Sequence, residues 1–305
     1  MKPLQGKVAV AAGATRGAGR GIACMLGEAG ATVYCTGRSS RGGAAVRKGG
    51  GGPFDLMGRP ETIEETAEKV TERGGFGIPL QVDHTEEDQV KRLFDRIQAE
   101  QGRLDLLVND IWGGDELTEW GKPFWELSLP KGFLMLERAV HTHIITSRYA
   151  APLMIPRGEG LIVEITDGEN FAYRGNLFYD LVKLSVIRLA YAMSEELRPH
   201  RITSLAVTPG FLRSEAMLDH FGVTEANWQE GAKKDRHFAA SETPFYIGRA
   251  VAALAADPEV SKKSGKVFSS WGLAQRTALP ISMEDSRTGG NISKSMLRTS
   301  RERLG

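Results

Sequence analysis

The chain has 305 residues, 41% of them hydrophobic, and its 39 Lys and Arg against 38 Asp and Glu leave a net charge of +1. This supports one large α/β core and gives no electrostatic case for nucleic acid. No apolar run approaches the roughly eighteen residues of a membrane span, and MKPLQGKVAV lacks a long apolar leader core, so a cytoplasmic protein without membrane contact is expected.

Lys7 to Ala12 is a short apolar run, as in a parallel strand covered on both faces. It leads directly into Gly13-Ala14-Thr15-Arg16-Gly17-Ala18-Gly19 and a helical stretch from Arg20 to Ala29 closed by Gly30. Glycines between a first strand and a first helix permit a tight turn and close approach of a pyrophosphate, which then meets the positive helix end. The spacing is G-x-x-x-G-x-G, and its position favours dinucleotide binding over an ordinary loop. A second strand, Thr32 to Thr36, ends at Gly37-Arg38-Ser39. No acid stands there to bind a ribose hydroxyl. Arg38, with Arg16 from the glycine turn, instead suits a 2′-phosphate, so NADP(H) is expected over NAD. Cys24 and Cys35, the two cysteines, read as small apolar residues in a reducing compartment.

Further strands are expected at Gly77 to Val82, Leu104 to Asn109, Gly160 to Thr166, Ile202 to Val207 and Lys266 to Ser270. Helices are expected at Glu61 to Glu72, Glu86 to Gln101, Glu137 to Met154, Tyr179 to Arg198 and Pro244 to Ala256. This alternation predicts a doubly wound parallel sheet, a Rossmann-type single domain over residues 1–276, with ligands at the carboxyl ends of the strands. Thr15, Arg38, Asp83, Asn109, Thr166 and Pro209 all fall at such ends.

Tyr179 and Lys183 lie four apart, on one helix face about 6 Å apart along the axis. A phenol titrates near pH 10, and a neighbouring ammonium is expected to pull that value down, making a usable acid–base group.

Taken together, Gly13-x-x-x-Gly17-x-Gly19, Val82-Asp83, Leu107-Val108-Asn109, Tyr179-x-x-x-Lys183 and Pro209-Gly210-Phe211-Leu212-Arg213-Ser214 resemble the short-chain dehydrogenase/reductase family over about residues 4 to 275. The resemblance implies hydride exchange between a nicotinamide and a carbonyl or alcohol. It implies that Asp83 holds the adenine amino group, that Asn109 supports the nucleotide and the fourth strand, and that Leu212 and Ser214 meet the nicotinamide end. Lys183 would also bind the nicotinamide ribose. A homodimer or homotetramer is implied as well, pairing through Glu137 to Met154 and Tyr179 to Arg198.

Several positions depart from the family pattern. Ala12 stands in place of the usual Thr, and Asn109-Asp110-Ile111-Trp112 in place of Asn-Asn-Ala-Gly, with an indole where a small residue is usual. At the place of the family's Ser are Thr166 and Asp167. Thr166 is the favoured substitute because its hydroxyl can donate to a carbonyl oxygen, whereas an ionised Asp167 would repel the developing alkoxide. The family's helical Asn has no equivalent in Leu136 to His143; His141 or His143 could replace it, or simply pack. No zinc site is expected from this His-x-His, which lacks companion ligands at suitable spacing.

Three insertions interrupt the alternation. Residues 39–60 carry Gly49 to Gly52 and read as a loop. Residues 111–135, with Trp112, Trp120, Phe124, Trp125 and Phe133, either pack an insertion or line a pocket. Residues 211–245, with Phe211, Met217, Phe221, Trp228 and Phe238, have the length of a lid or binding loop. These aromatics point to a bulky apolar or aromatic carbonyl substrate. Residues 277–305 form a polar tail. The leading expectation is an NADP(H)-dependent carbonyl reductase or alcohol dehydrogenase; the alternative is a catalytically weak NADP(H)-binding protein with a sensing or interaction role. An epimerase or dehydratase fits less well because little chain follows the sixth strand, and an enoyl reductase because that group spaces its Tyr and Lys wider.

Overall fold

The computed structural model describes residues 1–42 and 59–276, and of residues 275 and 276 the backbone alone. The glycine run at 49–52 and the tail from 277 lie outside the described residues.

Seven parallel strands form one sheet: β1 (Val8–Ala12), β2 (Thr32–Gly37), β3 (Phe76–Gln81), β4 (Leu106–Asn109), β5 (Leu161–Ile165), β6 (Thr203–Thr208) and β7 (Val267–Ser269). Their order is β3-β2-β1-β4-β5-β6-β7. Every residue of β1, β4, β5 and β6 is buried, as expected of strands covered on both faces. The order reverses at β1, where the chain first builds outward through β2 and β3 and then returns to β4. Such a switch point opens a crevice beyond the carboxyl ends of β1 and β4.

Helices cover both faces: α1 (Gly17–Glu28), α2 (Ile63–Glu72), α3 (Glu87–Gln101), α4 (Leu129–Leu136), α5 (Thr142–Met154), α6 (Leu177–Leu197), α7 (Glu215–Phe221), α8 (Pro244–Ala256) and α9 (Ser270–Arg276). One buried cluster joins Ile22 and Leu26 of α1 to Ile247, Val251 and Leu254 of α8. A second, across the sheet, joins Val90, Phe94 and Ile97 of α3 to Ala150 and Met154 of α5. Local signals start several helices: Thr62 accepts from Glu65 N, and Asn176 from Tyr179 N at 3.1 Å. Cys24 and Cys35 are free and buried.

The helix expected from Glu137 already begins at Leu129 as α4, capped by Ser128, and passes through a π turn at Glu137–His141 into α5. Pro130 and Gly132 obscure this start in the sequence. A proline in a first turn has no amide to lose, and a β-carbon at Gly132 would lie 2.2 Å from the Phe178 ring. The 211–245 insertion contains α7, two short 3-10 turns, and a small core of its own from Phe221, Val223, Trp228 and Phe238, with Phe211 and Met217 against it.

Candidate active site

The glycine turn closes over the end of β4. Gly13 has φ +90°, and a β-carbon there would lie 2.3 Å from the Asp110 carbonyl oxygen; one at Gly19 would lie 2.4 Å from the Gly13 oxygen. Glycine is required at both positions, because the backbone passes too close for a side chain. The Asp110 carboxyl is tucked beneath the turn, beside Gly19, and burial raises its pKa to about 7 against the opposing pull of Lys183 and the Gly19 amide.

The amino end of α1 is held by an anion from far along the chain. Glu215 Oε2 accepts the Gly17 amide at 2.8 Å, and its other oxygen lies 3.6 Å from Arg20. Asp219 pairs with Arg59 at 2.8 Å, so α7 is tied across the mouth of the dinucleotide turn at two points. The amide at this helix amino end thus donates to an anion, as it would to a phosphate oxygen. These residues therefore fit the pyrophosphate of a dinucleotide.

Arg16 is the residue capping α1, and its guanidinium is largely buried, 3.4 Å from Ser39 Oγ and 3.4 Å from a Glu61 oxygen. Burial lowers its pKa, while Glu61 opposes that. Arg38 is exposed, and its guanidinium reaches toward the backbone at Gly113 across the crevice. The two arginines flank the same strand ends, but Glu61 already compensates Arg16. Asp83 accepts Thr85 N and Oγ1 through Oδ1 at 3.0 and 2.8 Å. Ala14 N and Gly13 N donate to Thr36 O at 2.9 and 3.0 Å, and Thr15 is buried beneath the turn. Pro209 and Gly210 follow β6, Leu212 packs on the central core, and Ser214 Oγ accepts Met217 N as the cap of α7.

Asn109 does not present its side chain to the crevice. It is fully buried, and its amide donates to Glu164 Oε1 at 2.8 Å and Ser147 Oγ at 3.0 Å, which secures β4 to β5 and α5. Glu164 in turn meets His143 Nδ1 at 2.5 Å, and His143 Nε2 faces the Ile111 carbonyl at 3.0 Å. Burial disfavours a charged ring, yet Glu164 and the Ile111 carbonyl outweigh it and raise the pKa of His143. With an acceptor at each nitrogen, the doubly protonated imidazolium is the form that satisfies both. His141 is exposed. Glu164 is legible in the sequence as one carboxylate inside an otherwise apolar strand; its partner is not.

At the mouth, α6 presents Tyr179 and Lys183. The Tyr179 hydroxyl donates to Asp167 Oδ2 at 2.8 Å. Thr166 points the other way: it is buried, and its hydroxyl donates to the Lys183 carbonyl at 2.7 Å. The expectation that Thr166 takes the place of the family Ser is therefore corrected. Successive residues leaving a strand face opposite sides, and β5 directs 166 into the packing against α6 and 167 into the crevice. Arg174 braces the loop carrying Asp167, donating from Nε to the Asp167 carbonyl at 2.6 Å and from Nη1 to Asp180 at 2.9 Å.

The expected lowering of the Tyr179 pKa is also corrected. Burial raises it, and the Asp167 charge and hydrogen bond add to that. Lys183 Nζ lies 5.4 Å from the Tyr179 ring centroid and 4.0 Å from that of Trp112, so its ammonium rests on indole. Burial lowers the Lys183 pKa, opposed by Asp167, Asp110 and Asp115. Trp112 is fixed in turn by its Nε1, which donates to Asp115 Oδ1 at 2.7 Å.

Two indoles flank the phenol, Trp112 edge-on at 5.6 Å and Trp120 at 5.1 Å between centroids. Trp120, Phe124, Trp125, Phe133, Phe171 and Tyr173 are exposed. The rings of 211–245 behave differently: Phe221, Trp228 and Phe238 are buried in their own cluster, with Arg213 stacked 4.1 Å over Trp228. The aromatic surface available to a ligand therefore comes from 111–135 and the loop after β5.

A family model described as enoyl-(acyl carrier protein) reductase matches residues 54–269, more than half of the chain. Human dehydrogenase/reductase SDR family member 1 is 34% identical over 281 residues, which span 91% of this chain and 83% of that protein. Its mouse counterpart is 34% identical over 92% of this chain and 84% of that one. Among solved structures, a short chain dehydrogenase of Mycobacterium thermoresistibile superposes with a TM-score of 0.73 at 22% identity, covering 90% of this chain and 88% of that chain.

Proposed function

The chain belongs to the short-chain dehydrogenase/reductase family, and from that premise we propose that it is an NADP(H)-dependent oxidoreductase reducing the carbonyl group of a bulky apolar or aromatic substrate. The observation that carries the reading is the placement of Tyr179, Lys183 and Asp167 beside the glycine turn, at the one crevice where the sheet order reverses. A bound nicotinamide would supply the hydride. Tyr179 holds the proton that the carbonyl oxygen takes up. Burial and Asp167 keep the phenol protonated, so the proton is in place for a carbonyl oxygen to take up; the same shift makes the phenol a weaker acid, and the charge of Lys183 works against that shift. Lys183 supplies fixed positive charge beside the phenol, and its lowered pKa is the cost of burying it. Trp120 and the exposed rings around it offer flat apolar walls to a substrate. Ser39, Asp83, Pro209 and Gly210 follow the ends of β2, β3 and β6, which supports assigning them to the dinucleotide path together with Leu212 and Ser214 ahead of α7. The preference for the 2′-phosphate rests on exposed Arg38, since Arg16 is shared with Glu61.

The deciding experiment is a carbonyl panel with NADPH oxidation followed by absorbance. Turnover on aryl ketones that disappears in Tyr179→Phe supports the reading, and no turnover on any carbonyl or alcohol contradicts it. One observation favours a second reading, a dinucleotide-binding protein with weak catalysis: the Lys183 ammonium rests on Trp112. Tight NADPH binding without turnover would select it. Pairing of copies through α5 and α6 is supported by Ile144, Leu181 and Tyr191, large apolar residues left exposed on those helices. Light scattering that finds a monomer at micromolar concentration would exclude it.

A further inference from the structure

We propose that Asp167 selects the substrate, restricting it to ketones that carry a hydrogen-bond donor, a hydroxyl or an ammonium, on the carbon next to the carbonyl. The inference rests on the carbonyl-reduction reading. It begins with what the Asp167 carboxylate lacks. Among the described residues the Tyr179 hydroxyl is its one side-chain hydrogen-bond donor, at 2.8 Å; Lys183 acts on it through charge but makes no ion pair with it within 4 Å. Arg174, the nearest candidate, spends its guanidinium on the carbonyls of Asp167, Asn170 and Ala172 and on Asp180. Lys183 Nζ faces Trp112 and Tyr179.

A carboxylate accepts hydrogen bonds and gives none, so it cannot bind a bare carbonyl oxygen. The reaction sharpens the problem. As hydride adds to the carbonyl carbon, the carbonyl π pair moves onto oxygen, and that oxygen takes the Tyr179 proton. A phenolate is then left one hydrogen-bond length from a carboxylate that has just lost its donor, and two like charges at that separation oppose the step. A donor on the neighbouring carbon eases the conflict, because it takes the hydrogen-bond position on the carboxylate that the phenol gives up. Two polar atoms on adjacent carbons sit about one hydrogen-bond length apart, which matches the separation of the Tyr179 oxygen and Asp167 Oδ2. The carbonyl oxygen then faces the phenol while the neighbouring hydroxyl or ammonium faces the carboxylate. Its proton is donated but not transferred, and solvent reprotonates Tyr179 after the product leaves. The same carboxylate, with Asp115 and Asp110 close enough to act on Lys183, disfavours a substrate whose neighbouring group is itself a carboxylate.

Four ketones that share a phenyl ring test this with NADPH: acetophenone, α-hydroxyacetophenone, α-aminoacetophenone and benzoylformate. The hydroxy and amino ketones should exceed acetophenone in kcat/KM by about tenfold or more, with benzoylformate below all of them. In Asp167→Asn, which keeps the shape, and in Asp167→Ser, whose hydroxyl can donate to a plain carbonyl, that ratio should fall toward one. Acetophenone turnover should rise in Asp167→Ser. The ratio between ketones is independent of how much of each variant is folded, and NADPH affinity monitors folding separately. Equal turnover of acetophenone and its hydroxy derivative in the parent, a preference for benzoylformate, or a preference that survives in both variants overturns the inference while leaving the reductase reading intact. No turnover of any ketone overturns both.

Discussion

Glu215 Oε2 accepts the Gly17 amide at 2.8 Å, so a carboxylate of the 211–245 insertion sits where the glycine turn offers its amide to a phosphate. Both anions cannot occupy that position. A phosphate at the Gly17 amide would therefore have to displace the Glu215 carboxylate, the first residue of α7.

Glu215→Gln removes the competing charge while keeping the shape. We expect NADPH to bind several-fold more tightly, in line with about 1 kcal/mol for one charge at a helix amino end. Titration of intrinsic fluorescence or calorimetry reads this directly. An unchanged or weaker affinity would show that Glu215 does not compete.

Arg38→Asp should reverse the cofactor preference, because a carboxylate repels a 2′-phosphate and suits a ribose hydroxyl. Affinities for NADPH and NADH decide the matter. If their ratio is unchanged, Arg16 takes the role despite its pairing with Glu61.

Thr166→Val should cost stability before it costs chemistry. It removes a buried bond to the Lys183 carbonyl, worth about 1 kcal/mol, and leaves a helical carbonyl without that donor. The melting temperature should fall by a few degrees with turnover retained within several-fold. A collapse of turnover without loss of stability would return Thr166 to the reacting centre.

Glu242 lies behind Gly210, accepts both Ser270 contacts, and is pushed by burial up to about 7, with Ser270, the Gly210 amide and Arg213 pulling the other way. Its folded pKa is therefore above its unfolded value. The stability this represents is present below about pH 4.5 and is lost as pH rises through about 7. Glu242→Gln should be more stable than the parent at pH 8 by about 1–3 kcal/mol and should lose that margin at pH 5. Denaturation at the two pH values measures it, and a margin independent of pH would contradict the assignment.

The His143–Glu164 pair should behave as a unit. His143→Leu leaves Glu164 buried without its cationic partner and should cost about 3–5 kcal/mol. Adding Glu164→Gln should recover part of the loss, because an amide still meets Asn109 and Ser147 without carrying charge. Urea denaturation of the two variants tests this; additive losses would mean the pair is not coupled.

The sequence by itself determined the sheet, the dinucleotide turn and the Tyr179–Lys183 face. These depend on periodicity and on a glycine pattern between a first strand and a first helix, both readable locally, although what Gly13 makes room for is the Asp110 carbonyl far along the chain. The strand ends matched to within about two residues because β-rich runs, charged only at Glu164 of β5, leave few alternatives between helical segments. The helix beginning at Leu129 was hidden because Pro130 and Gly132 read locally as breakers, while the reason for Gly132 is a ring 46 positions away, Phe178. Only the tertiary structure decided which of Thr166 and Asp167 faces the crevice, since a one-residue difference at a strand end exchanges the two sides. It also decided the direction of the Tyr179 pKa, where spacing brought a cation into view but burial, and then Asp167, raise it. Glu215 on Gly17, Glu164 on His143 and Trp112 on Lys183 join residues far apart in the chain, so neither partner carries a sign of the other until packing brings them together.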